Sequence, residues 1–164
     1  TRVRPAQSRD ADTGLVLLGG ASRHHRWSSA EIARQIDQLV NTRPRSRWQL
    51  LMSPRTPADI LPLLSQHANL QVIPYDAADQ DRLPDALVRC AEVWVTEDSI
   101  SLLYDALSSG VPVGLLRVSR HVDALVARGR LQAPGSGVPC AAGFPPLNEA
   151  ARVAAWIRDR WLAA

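Results

Sequence analysis

The stretch EVWVTEDSISLLYDALSSGVPVGLLRV, residues 92–118, leaves the chain few ways to fold. Residues 92–95 are a short apolar run rich in β-formers, and Thr96, Glu97, Asp98 and Ser99 place four polar side chains where it ends. Ile100, Leu103, Ala106 and Leu107 then recur at helical spacing. Gly110 fits the left-handed residue that closes a helix, and Pro112 opens a second apolar run at 113–118. Strand, polar turn, helix and strand make a βαβ unit. In an open parallel sheet the carboxyl ends of the strands face the ligand crevice, where a helix amino terminus offers unpaired N–H groups and partial positive charge to an anion. Asp98 or Ser99 can equally serve only to cap the helix, and the spacing does not separate the two.

The rest of the chain repeats this alternation. Residues 1–13 are polar, Arg-rich and aperiodic, as in a tail or interdomain linker, so order is expected from Gly14 onward. Residues 15–18 read as a strand closed by Gly19-Gly20. Ser28-Ser29-Ala30-Glu31 is a capping-box pattern that starts a helix near Ser28, with Ile32, Ile36, Leu39 and Val40 as its buried stripe and an end near Asn41. The loop between them is long and holds Ser22, Arg23, His24, His25, Arg26 and Trp27. A second strand at 48–52 turns through Ser53-Pro54-Arg55-Thr56-Pro57 into a helix with Thr56 as cap and Pro57 at its first position. Ile60, Leu61 and Leu64 point that helix inward. A third strand at 70–73 ends at Pro74. In the following segment, residues 77–89, Asp79 and Asp81 together with Asp76 fit a solvated helix start better than a cation site. A short helix at 120–128, a Gly/Pro-rich loop at 131–146 and an amphipathic helix at 147–162 carrying Trp156 and Trp161 complete the reading.

Such alternation predicts the α/β class: a Rossmann-like three-layer α/β/α sandwich around a parallel sheet of strand order 3-2-1-4-5. The turns after strands one, two, four and five then share one rim. They bring Gly19, Gly20, Ser22, Arg23, His24, Ser53, Arg55, Thr96, Asp98, Ser99 and Ser101 to it, with residues 117–121 beside them. Guanidinium clamps phosphate oxygens bidentately and helix N–H groups bind them from below, so the combination suits a diphosphate. The alternative is ordinary solvated charge around loops.

Composition excludes other classes. With 164 residues, 46% hydrophobic, the chain builds one core and hardly two. All 19 basic residues are Arg, which suggests a GC-rich coding sequence such as a bacterial one, and they are scattered, which argues against nucleic acid. No apolar run reaches the roughly 20 residues of a membrane span, and the opening TRVRPAQSRDADTG is no signal peptide. Cys90 and Cys140 lack metal spacing and read as free thiols of a reducing, cytoplasmic compartment. His24 and His25 are adjacent and have no completing ligands, so no metal site is expected. No P-loop, dinucleotide fingerprint or nucleophile elbow is present. No cofactor is implied, and no catalytic residue is assigned.

Three segments, GGASRHHRWSSAEIARQI, LLMSPRTPADIL and VTEDSISLLYDALSSGVPVGLL, resemble the carboxyl-terminal half of the mitochondrial-fission family named for elongated mitochondria in plants and common in bacteria. Those proteins are similar to GT-B glycosyltransferases. The resemblance covers most of residues 15–161 and implies a donor-binding domain for a nucleoside diphosphate or nucleotide-sugar. Gly20 and Ser22 would lie against the phosphates, and Ser99 and Ser101 would bind a phosphate oxygen. Asp105 would stand where those enzymes carry a ribose-binding glutamate; it is one methylene shorter and equally fits an exposed helix residue. A GT-B protein has two such domains, so the resemblance also implies a missing amino-terminal domain, with residues 1–13 as linker and 14–164 as the donor domain. Peripheral membrane association of the parent stays open. Two functions remain: the donor half of a sugar transferase or nucleotide-sugar epimerase, inactive alone, or a scaffold that keeps the fold without turnover.

Overall fold

The computed structural model describes residues 9–22, 27–64, 67–76, 82–118, 148, 151–152, 154–155 and 158–159. Arg23, His24, the segments 120–128 and 131–146, Cys140, Trp156 and Trp161 lie outside the described residues.

Five strands, β1 (Asp10–Leu18), β2 (Arg47–Met52), β3 (Leu70–Ile73), β4 (Cys90–Thr96) and β5 (Val113–Leu116), form one sheet in the expected order β3-β2-β1-β4-β5, each neighbouring pair parallel. β1 is central because residues 15–18 are apolar on both sides and buried on both, as a strand covered by helices on each face must be. On one face Leu15 and Leu17 pack with Val93, Val95, Val113 and Leu115 against α2 (Arg82–Arg89) and α3 (Ile100–Ser108). On the other, Val16, Leu18 and Leu50 meet α1 (Ser29–Thr42) through Ile32, Ile36, Leu39 and Val40. α1 begins as its capping pattern requires, with Ser28 Oγ accepting from the Glu31 N–H. Gly110 closes α3 at φ 72°. Asn148 starts the last helix by accepting from the N–H groups of Ala151 and Arg152.

Two tryptophans lie flat across glycines of the paired strand. Trp48 stands opposite Gly14 and Trp94 opposite Gly114, and in both places a methyl group on the glycine would overlap the indole. The absent side chain is what lets a large ring cover the sheet there.

The sequence expectation is corrected at two places. β1 begins at Asp10, ahead of the expected Gly14, with Thr13 opposite Arg47 and Asp10 ion-paired to Arg47 at 2.5 Å. Residues 10–13 have no apolar alternation, so their pairing leaves no trace in the pattern. The expected helix after β2 is a 3-10 helix, Ala58–Leu63, because Pro62 lacks the N–H that an α-helix would use at that point. Ile60 and Leu64 stay inside, but Leu61 turns out to solvent with 42% of its surface exposed. Thr56 does not cap this helix; its hydroxyl is turned back to the end of β1.

The amino edge of the sheet is fixed by charge. Arg9 donates to the carbonyls of Leu87, Cys90 and Ser109, tying the ends of α2 and α3 to the start of β1. Glu92, buried, pairs with Arg43 at the end of α1 and accepts from the Trp94 indole N–H at 3.3 Å. Arg9→Ala should cost about 2 kcal/mol or more, since hydrogen bonds from a charged donor are worth more than neutral ones and three carbonyls lose theirs; chemical denaturation measures it. Burial pushes the Glu92 carboxyl up from its ordinary value, against the pull of Arg43 and the Trp94 hydrogen bond. An acid raised in this way holds its proton more tightly folded than unfolded, so its contribution is full below the ordinary glutamate value and is lost as pH rises through the folded value. Denaturation of wild type and Glu92→Gln across that interval should show a stability difference that shrinks or reverses with rising pH in the wild type's disfavour; a pH-independent difference would contradict the assignment.

Candidate functional site

Because all five strands run the same way, the turns that follow them collect on the carboxyl edge. There they form a knot of hydrogen bonds. The Thr96 hydroxyl at the end of β4 accepts from the Gly19 N–H at 2.7 Å, and Asp98 Oδ2 accepts from the Gly20 N–H at 2.8 Å. From the turn after β2, Ser53 Oγ and Thr56 Oγ1 both donate to the Gly19 carbonyl, at 2.7 and 2.5 Å. Gly19 and Gly20 are required by closeness: a methyl at Gly19 would enter the Asp98 carboxylate, and one at Gly20 the Arg55 carbonyl. Glu97, also buried, accepts from the Val118 N–H at 2.7 Å. Gln35 of α1 holds residue 117 like a neighbouring strand, accepting from its N–H at 2.7 Å and donating to its carbonyl at 3.0 Å.

The expected rim residues therefore divide. Thr96, Ser53 and Gly19 are spent on one another; Thr96 is fully buried, and its hydroxyl faces the loop instead of the crevice. Asp98 is buried as well, with one oxygen on Gly20 and Arg55 Nη2 3.6 Å away, while its Oδ1 has no hydrogen-bond partner. Ser99 heads α3 without making a side-chain cap bond, so neither Asp98 nor Ser99 acts as the simple cap that its position allowed. Among the described residues nothing accepts from the N–H groups of Ile100, Ser101 and Leu102 in the first turn. Ser101 is exposed, and Asp105, half-buried, lies one turn further along the same helix face. Ser22 is half-buried, and Arg23 and His24 lie outside the described residues.

A cavity of about 290 Å³ adjoins the knot on the face covered by α2 and α3. Leu17, Leu51, Met52, Pro54, Pro74, Tyr75, Leu83 and Leu102 make it apolar, and Ser53, Asp76 and Arg82 add polar groups. The sequence reading missed it because its lining comes from five separate segments, each ordinary core or turn when read alone. The helix starts of α2 and α3 both border it. Among the described residues no group of His, Cys, Asp or Glu is placed to hold a metal ion, and no helix is long and apolar enough to cross a membrane.

This is the Rossmann-like domain architecture of GT-B proteins, and solved structures of that type match it. The UDP-GlcNAc 2-epimerase of Neisseria meningitidis, solved bound to UDP-GlcNAc, aligns with a TM-score of 0.55 and 24% identity over 77% of this chain and 33% of the epimerase. A UDP-N-acetylglucosamine 2-epimerase structure from Listeria monocytogenes gives 0.58 and 18% over 93% of this chain and 46% of that one, and S. aureus MnaA with UDP gives 0.50 and 16% over 92% and 37%. The chain spans less than half the length of each. No match is found among curated proteins. The chain belongs to the mitochondrial fission ELM1 family, whose model matches residues 3–161.

Gly20→Ala should force the β1 and β2 turns apart, because the added methyl meets backbone rather than a movable side chain. A loss of about 2 to 4 kcal/mol is expected, in the range of overpacking and special-backbone effects. Thermal unfolding of the variant measures it, and a melting temperature equal to wild type would mean that the two turns are not locked together.

Proposed function

We propose that the chain is the nucleotide-sugar-binding half of a GT-B-like protein, with the ligand's diphosphate at the amino terminus of α3. One observation carries this reading. Among the described residues, nothing accepts from the N–H groups of Ile100, Ser101 and Leu102 in the first turn of α3, beside a Ser99 side chain that makes no cap bond. Three aligned donors at the positive end of a helix dipole suit phosphate oxygens, and Arg55, half-exposed at the rim, adds positive charge. The apolar cavity next to them has the size and lining for a nucleoside base, with Tyr75 available to stack, and Asp105 stands one turn along the helix for a ribose hydroxyl. Two solved structures of similar fold, the Neisseria epimerase and S. aureus MnaA, hold UDP-GlcNAc and UDP, which makes uridine diphosphate the probe of choice.

On this reading the parent protein carries a second, amino-terminal domain of similar size. Acceptor binding and acid/base help at the anomeric carbon would come partly from it, so the chain alone transfers or epimerises no sugar. Whether the parent is a glycosyltransferase or a nucleotide-sugar epimerase turns on that second domain. The scaffold reading draws support from one specific fact: Thr96, Ser53, Gly19 and Gly20 are engaged with one another, as in a rim kept for its architecture.

A thermal-shift titration with uridine diphosphate separates the two. The melting temperature of the wild type should rise with ligand concentration, as binding to the folded state requires. Ser99→Ala should weaken the apparent affinity by roughly tenfold or more, the worth of a hydrogen bond to a charged group. No shift at millimolar nucleotide would leave the scaffold in possession of the fold.

A further inference from the structure

We propose that Asp98 and Arg55 form a latch on this site: the guanidinium that rests against the buried carboxylate moves to the ligand's phosphates on binding. The proposal rests on the nucleotide reading above and adds how that site is regulated. Arg55 is pinned by its backbone and loose at its tip. Its carbonyl presses on Gly20, and its N–H donates to Ser53 Oγ at 3.2 Å, yet 47% of its side chain is exposed. The tip is 3.6 Å from Asp98 Oδ2, beyond the length of a good hydrogen bond. The guanidinium can therefore exchange anions without any shift of the turn that carries it.

Asp98 supplies the other half of the device. Its side chain has 0% exposure, one oxygen is committed to the Gly20 N–H, and Oδ1 has no donor. A buried carboxylate in that condition draws on any cation within reach. Among the described residues Arg55 is the cation that forms an ion pair with it. A diphosphate offers the same guanidinium a bidentate partner nearer to solvent. Asp98 thus competes with the ligand for Arg55 and also places negative charge beside the α3 amino terminus. Removing that charge strengthens anion binding, the opposite of what removing a ligand-binding group does.

Asp98→Asn keeps the shape of the side chain and an oxygen for the Gly20 N–H. Uridine diphosphate affinity is measured by calorimetry on the chain as it stands, for wild type, Asp98→Asn, Arg55→Ala and the double variant. Asp98→Asn should bind about threefold or more tighter than wild type, a change within the range of measured couplings between contacting residues, and Arg55→Ala should bind more weakly. In the Arg55→Ala background the Asn substitution should have a clearly smaller effect. Weaker binding by Asp98→Asn overturns the latch, and so does an equal gain in both backgrounds, which is charge repulsion without a shared arm. Should Asp98→Asn not fold, the Arg55 Nε–H resonance of the wild type, identified by its loss in Arg55→Ala, decides: it must move on saturation with uridine diphosphate, and a resonance that stays in place overturns the latch. A wild type that binds no uridine diphosphate removes the nucleotide reading and the latch together, whereas binding without coupling removes the latch alone.

Discussion

The bond from the Gly20 N–H to the Asp98 carboxylate joins turns that lie 78 residues apart in the chain, and the carboxyl rim takes its shape from it. With Asp98 seated on Gly19 and Gly20, the β1 turn is pressed onto the β2 turn, and the hydroxyls of Ser53 and Thr56 converge on one carbonyl. The start of α3 follows directly from the same residue, so the helix amino terminus is set by a contact that belongs to the loops. A buried carboxylate is an expensive way to join turns in a low-dielectric interior. Two backbone N–H groups, those of Gly19 and Gly20, find acceptors through this turn, and without them the rim would contain unsatisfied donors.

Much of this fold is legible in the sequence because a doubly covered parallel sheet demands continuous apolar strands and amphipathic helices of alternating kind. β1, β2, β3, β4 and β5 announce themselves in that way, and the right-handed crossover leaves little freedom in their order. What the pattern hides is contributed by polar residues. Residues 10–13 join the sheet through backbone pairing and the Asp10–Arg47 ion pair, neither of which has a hydrophobic signature. The 3-10 helix hides for another reason: Pro62 could be read as a tolerated helix residue, and only the observed geometry shows that its missing N–H tightens the turn and rotates Leu61 outward.

The rim was legible as a place and less so as a set of contacts. Topology alone puts Gly20, Arg55, Ser99 and residue 117 on one edge. It does not tell which polar groups face solvent and which face each other, since that depends on side-chain directions fixed by long-range packing. Thr96 and Ser53 illustrate the point: hydroxyls at the ends of strands, suited by type to a phosphate, are consumed by the Gly19 peptide. Ser99 shows the converse, a residue with the ordinary look of a helix cap that does not act as one.

Just beyond β5, at residues 117–118, two side chains bind the backbone as a neighbouring strand would. The Gln35 amide pairs with both backbone groups of residue 117, and the Glu97 carboxylate takes the N–H of Val118. A peptide ladder ties a strand to its neighbour alone, whereas the amide here reaches α1 and the carboxylate belongs to the β4 turn. A displacement of residues 117–118 is thereby passed both to a helix on one face of the sheet and to the crevice rim.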